Sequence, residues 1–175
     1  LDGTKWQNYT AGIVMTDNGN VYFRGTDAAG NVGTVTAYAV NNIDRVAPDT
    51  PVADASETRP TNGNVPVCAA FSSDSVKKEY SFDGTKWQNY TSAIIMSVNG
   101  TVYFRGTDAA GNISGVASYV VANIDKVAPK QPVTSADHLG STNQDVTVSA
   151  VFAGDSVSNQ YSLDNGSTWK SYADG

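Results

Sequence analysis

The sequence predicts an all-β protein built from antiparallel sandwiches, and three observations lead to this prediction. Apolar and polar residues alternate with a period of two, as in Val102-Tyr103-Phe104-Arg105, which is typical of a strand with one buried face. Turn-forming pairs such as Asn99-Gly100 separate the apolar segments at spacings of roughly eight to twelve residues. No segment carries the 3.6-residue apolar stripe of a helix. About seven short strands per unit therefore indicate a two-layered antiparallel β-sandwich.

The same unit recurs along the chain with a period of about 81 residues. Three segments show it: DGTKWQNY begins at Asp2 and Asp83, VYFRGTDAAGN at Val21 and Val102, and NIDRVAP or NIDKVAP at Asn42 and Asn123. The other half of the unit repeats as well, since VPVCAAF at Val65 matches VTVSAVF at Val146. Self-similarity at a fixed spacing predicts a tandem array of one structural unit.

Pairs of prolines mark the predicted domain boundaries. The segments VAPDTP (46–51) and VAPKQP (127–132) each contain two prolines, and proline cannot donate to a central strand of a sheet. We therefore predict one complete repeat over 47–127. Residues 1–46 are then the C-terminal half of a preceding repeat, and 128–175 are the N-terminal half of a following one.

Composition and charge exclude several classes of function. The net charge of −6 disfavours a phosphate backbone as partner, and no apolar stretch reaches the roughly 18–20 residues that would insert into a membrane. The one cysteine, Cys68, is replaced by Ser149 in the next repeat, so we interpret it as a packing residue. With His138 as the one histidine and carboxylates scattered over turns, we expect no catalytic residues and no enzyme activity.

The arginine inside the repeated apolar segment has a structural explanation. We expect Arg105 on the outer face of its strand, with its stem over a neighbouring aromatic ring. Asp108 and Asn112 bracket a tight turn in which Gly111 can adopt positive φ. Tyr103 is a candidate for a tyrosine-corner hydrogen bond. The duplicated motif is therefore predicted to be part of the architecture.

Three motifs in a fixed order resemble a known family. YSFDGTKWQNY, NGTVYFRGTDAAGN and NIDKVAP are similar to the bacterial immunoglobulin-like repeats that occur in tandem in large secreted and cell-surface, adhesin-like proteins. The resemblance covers the whole chain. It implies immunoglobulin-like sandwiches that serve as stalk, spacer or adhesive modules outside the cell, with neighbouring repeats of the same chain as their first partners. A cell-surface glycan or protein is a further possible partner.

Calcium at the seams between repeats is one hypothesis for a ligand. The loops that meet at the end of an immunoglobulin-type sandwich would supply oxygen atoms of the kind that calcium prefers. The candidates are Asp44, Asp74, Asp108 and Asn112 at the first seam, and Asp125 and Asp155 at the second. The alternative is that these side chains only cap backbone donors of their turns.

Repeated aromatic residues suggest a carbohydrate site as an alternative function. Trp87 and Tyr90 could stack on sugar rings, and Asp83 and Asn89 could bind hydroxyl groups. A face that recurs in every repeat would gain from multivalency. The competing interpretation is that Trp87 covers the open edge of the sandwich core.

The incomplete repeats at the two ends of the chain suggest a third function. Unpaired sheet edges recruit partners, so the end of one chain could complete the start of the next and build a head-to-tail fibre. The simpler expectation is a segment of a longer polypeptide.

Overall fold

The computed structural model describes residues 5–173, and in this part of the chain it contains thirteen strands and no helix. The all-β prediction is thereby confirmed. Among the same residues there is also no helix with the length and apolar character of a membrane span. The chain divides into two compact units, the first ending at Ile124 and the second beginning at Asp125.

The strands are short, as the closely spaced turn signals predict. The first unit contains β1 (Gly19–Phe23), β2 (Thr36–Val40), β3 (Val52–Ala55), β4 (Val65–Ala70), β5 (Lys77–Ser81), β6 (Gln88–Asn89), β7 (Ile94–Met96), β8 (Gly100–Thr107) and β9 (Ala117–Val121). The second contains β10 (Val133–Ala136), β11 (Val148–Val151), β12 (Gln160–Tyr161) and β13 (Lys170–Ser171).

Two antiparallel sheets form the centre of the first unit. One has the order β3-β4-β7, and the other has the order β6-β5-β8-β9. The remaining sheets have two strands each: β1 with β2, β10 with β11, and β12 with β13. All of these strand pairs are antiparallel.

The two central sheets enclose one apolar core. Val65 and Val67 of β4 and Val102 and Phe104 of β8 have no exposed surface, and the residues between them in each strand face outward. This is the alternation that a sheet with one buried face produces. Burial of each such side chain stabilises the fold by about 1.5–3 kcal/mol, so this core is what specifies the sandwich-like arrangement.

Tyr90 closes one end of the core. Its ring meets Phe104 edge to face at a centroid distance of 5.5 Å, and its hydroxyl accepts a hydrogen bond of 3.1 Å from the Ala69 backbone N–H. The tyrosine that bonds back to the backbone is therefore Tyr90 and not the predicted Tyr103, whose ring lies on the outer face beside Gly84.

Strand registers recur 81 residues apart. In β1 and β2, Gly19 pairs with Val40, and in β8 and β9, Gly100 pairs with Val121. The same offset relates β10–β11 to β3–β4, where Val133–Val151 corresponds to Val52–Ala70. Similar sequences thus adopt the same local pairing at each occurrence.

Candidate functional site

The turn that follows β8 is organised by a carboxylate. Asp108 accepts hydrogen bonds of 2.8 Å from both the backbone N–H and the side-chain amide of Asn112. Gly111 between them has φ +94°, a conformation that side-chain-bearing residues rarely adopt. The sequence Asp-Ala-Ala-Gly-Asn therefore fixes the amide of Asn112 in one orientation.

Asn112 connects this turn to the segment that precedes β3. Its Nδ2 donates to the backbone carbonyl of Asp44 at 3.2 Å and to that of Val46 at 3.4 Å. The Asp44 carboxylate accepts from the Val46 N–H at 2.9 Å, which shapes the segment into a local turn. One side-chain amide thus holds two carbonyl acceptors of this segment, which we call the linker.

The linker also packs closely against the loop before β9. Pro48 and Pro51 are both buried, although prolines in linkers are ordinarily exposed. A Cβ atom at Gly115 would collide with the Thr50 side chain, so the glycine is what permits this approach. We call the set Asp44, Val46, Thr50, Asp108, Asn112 and Gly115 the joint.

Electrostatics favour the charged form of Asp108 in the joint. Only 7% of this residue is exposed. The side-chain amide of Asn112 lowers the pKa of its carboxyl group below the usual value, against the opposing effect of burial, and backbone N–H groups of the turn lower it further. The negative charge is therefore stabilised by hydrogen bonds from N–H donors.

The six residues of the calcium hypothesis are dispersed. Asp44, Asp108 and Asn112 belong to the joint, but Asn112 presents N–H donors where calcium would need oxygen ligands. Asp74 and Asp155 are exposed, and Asp125 accepts a hydrogen bond from the Val127 N–H. Over residues 5–173, no three His, Cys, Asp or Glu side chains are grouped so that they could hold a metal ion. Calcium binding stays a prediction.

A charged and aromatic cluster covers the outer face of the four-stranded sheet. The Arg105 guanidinium lies 4.1 Å from the centre of the Trp87 ring and donates to Glu79 at 2.9 Å. The other oxygen of Glu79 pairs with Lys77 at 2.6 Å. Burial favours the neutral form of Glu79, but its bonds to Lys77 and Arg105 outweigh burial and hold its pKa below the usual value. The expected position of Arg105 is the one observed.

The four residues of the carbohydrate hypothesis do not share one surface. Trp87 lies on the outer face under Arg105 and is not among the core residues, so it does not close the core as the competing interpretation expected. Tyr90 packs against the core from the inside. Asp83 accepts hydrogen bonds from Thr85 and Lys86 within its own turn.

Asn89, the fourth of these residues, pairs with Glu79 in the register of β5 and β6. It also lines an open groove of about 320 Å³ together with Tyr80, Phe82 and Ile95. Carbohydrate binding stays a prediction.

Sequence reasoning missed two asparagines that fix the end of β9. Asn99 donates to and accepts from the backbone of Ile124, with both bonds at 2.9 Å. Asn123 donates to the carbonyls of Glu57 and Arg59. The sequence did contain a signal for these two residues, because both asparagines recur 81 residues earlier, as Asn18 and Asn42.

Comparison of the chain with protein-family models, with curated proteins and with solved structures found no match.

Proposed function

We propose that this chain is a run of immunoglobulin-like β-sandwich repeats that acts as a non-catalytic spacer in an extracellular, adhesin-like bacterial surface protein. Support comes from hydrogen bonds that recur with the sequence period. Asn18 bonds to Ile43 as Asn99 bonds to Ile124, at the same 2.9 Å. A tandem array of such units extends in one direction, because each unit contacts only its neighbours. It can therefore keep its two ends apart and carry force between them.

The joint is the observation that carries this proposal. A flexible linker would let neighbouring repeats reorient freely, whereas a spacer must limit bending. In this chain the linker is hydrogen bonded through Asn112, and both of its prolines are buried. The joint therefore couples residues 5–46 to the complete repeat that follows them.

The acidic surface is compatible with many similar repeats in one chain. The net charge of −6 over 175 residues produces repulsion between neighbouring copies and opposes their aggregation. Repeats of similar sequence are otherwise prone to exchange strands.

Single-molecule fluorescence energy transfer tests whether the joint is stiff. One dye would be attached to the native thiol of Cys68, which is exposed and therefore not the packing residue that the sequence suggested. The other would be attached to a cysteine introduced as Thr34→Cys. We expect a narrow distance distribution in the parent chain. Asn112→Ala should broaden it, because the linker carbonyls lose their donor.

Asn31→Ala provides a matched control. Asn31 makes the same bonds to Asp27 that Asn112 makes to Asp108, but its substitution leaves the joint intact. The distribution should then stay narrow. A distribution that is already broad in the parent chain would contradict the spacer proposal.

A further inference from the structure

The chain enters the complete repeat through β3 and leaves it through β9. The segment before β3 is held beside the start of β9, because Asn112 donates to the carbonyls of Asp44 and Val46. The segment after β3 lies beside the end of β9, where Thr61 forms a parallel bridge with Ile124. The two strands are also in contact along their length. They therefore run side by side in the same direction.

This geometry determines how tension along the chain acts on the repeat. Tension pulls the start of β3 towards the residues before it, and it pulls the end of β9 towards the residues after it. Because the two strands are parallel neighbours, the pull slides one strand along the other, and the hydrogen bonds that join them are loaded together. Strands that are pulled apart from a common end instead lose their bonds one after another.

Asn123 joins the end of β9 to the segment that follows β3. Its Nδ2 donates to the carbonyl of Glu57 at 3.1 Å and to that of Arg59 at 2.8 Å. Its backbone carbonyl accepts a hydrogen bond of 2.9 Å from the Thr61 N–H. All of these bonds must break before the end of β9 can leave this segment.

Asn99 holds the next residue of the chain. Its side-chain amide donates to the carbonyl of Ile124 and accepts from the Ile124 N–H, with both distances at 2.9 Å. Asn99 lies between β7 and β8, which belong to different sheets. Ile124 itself is 8% exposed and is the last residue of the first compact unit. A pull on Asp125 is therefore transmitted directly to these bonds.

The number of bonds at this point exceeds what the end of a strand needs. Strand ends commonly fray, whereas here three hydrogen bonds meet at Asn123 and two at Ile124. The bonds of Asn99 recur at Asn18, which holds Ile43 in the same way. We call Asn99, Asn123 and the backbone groups that they bind the clamp.

We propose that the clamp is the force-bearing element of the repeat, which keeps β9 in place when the chain is under tension. The proposal rests on the proposed spacer function, because only a chain under tension requires such an element. It assigns a role to two asparagine side chains that take no part in the joint. It also predicts that the repeat resists a pull along the chain more strongly than its equilibrium stability alone would provide.

Unfolding of the 175-residue chain at constant force, with the chain held at its two ends, tests the proposal. Unfolding of the complete repeat is recognised by the length of chain that it releases, at most about 290 Å for residues 47–127. Asn123→Asp keeps the size of the side chain and removes its two N–H donors. The unfolding rate under force should rise about tenfold, because bonds that break in the transition state contribute fully to the barrier.

Two control variants separate the clamp from general stability. Val67→Ala creates a cavity in the core, where Val67 is 0% exposed. It should lower stability in urea at least as much as Asn123→Asp does, but it should raise the unfolding rate under force less, because the core is still packed when the clamp breaks. Asn62→Asp makes the same chemical change at an exposed position beside Thr61 that contributes no bond to the clamp, and it should leave both quantities unchanged.

Asn99→Ala is an independent second test, since it removes the other two bonds of the clamp and should also raise the unfolding rate under force. Rates that stay unchanged in both Asn123→Asp and Asn99→Ala, or that rise more in Val67→Ala than in either, would overturn the proposal. The energy-transfer experiment measures bending at the joint without load. A failed clamp with a stiff joint, and a flexible joint with a working clamp, are therefore distinguishable results.

Discussion

Individual glycines in this chain are constrained by what their repeat places next to them. Gly106 on β8 is buried, and a Cβ there would lie 2.4 Å from Ser75 Oγ and 3.0 Å from Ser75 Cβ, so it would meet the stem of the serine as well as its hydroxyl. Gly25 occupies the same position in the earlier copy of the motif, VYFRGTDAAGN at 21–31, where a Cβ would meet no atom within 4 Å. Glycines at equivalent positions of two similar strands thus differ in whether a larger side chain would fit.

Substitution of Gly106→Ala should lower the free energy of unfolding by about 1–3 kcal/mol, the usual cost of overpacking. Gly25→Ala should change it by less than about 0.5 kcal/mol, as is typical of exposed sites. Urea unfolding of the two variants beside the parent chain measures both values. Similar losses in the two variants would show that the environment of Gly106 is not what limits its replacement.

Carboxylate-centred turns are the recurring element that links the strands. Asp108 and Asp164 each accept hydrogen bonds from N–H groups of their own turns, and Asp164 also accepts from the Ser162 and Thr168 hydroxyls. Chiefly through these side-chain hydroxyls, the pKa of Asp164 falls to about 2. In the unfolded chain an aspartate has a pKa of about 3.9. The turns are therefore more stable when their aspartates are charged.

This difference predicts how stability depends on pH. A carboxyl group whose pKa is lower in the folded chain stabilises the fold above its unfolded-state pKa, and this contribution disappears as the pH falls through the folded-state value. The urea midpoint should therefore fall between about pH 4 and about pH 2. Asp108→Asn should make this fall shallower, because it removes a titrating group of the core-bearing first unit whose pKa is also lowered in the folded chain. A midpoint that is constant over this range would contradict the prediction.

The positions of the strands could be predicted from the sequence better than the face of the sheet on which each side chain lies. Period-two alternation identified β8 and its inner residues because a strand fixes the directions of its own side chains. Trp87 follows a turn, where alternation gives no direction, and its contact with Arg105 depends on β8, which lies beyond β5 in the sheet. The inserted residue after Asp164 is accommodated by Asn165 and Gly166 at φ +56° and +82°, and Asn-Gly signals such a turn.

For the whole molecule, the burial of apolar residues determines how stability is distributed. The two central sheets of the first unit bury apolar residues between them, whereas β10 and β11 form a two-stranded sheet with exposed valines. Two-stranded sheets are marginally stable in water. Local opening should therefore occur far more readily in β10 and β11 than in the central sheets.

Hydrogen exchange measures this distribution. We expect slow exchange of the backbone amides on β4 and β8, because the core covers these strands. We expect fast exchange on β10 and β11, because a two-stranded sheet opens more often to solvent. Exchange on β11 that is as slow as on β4 would contradict this prediction.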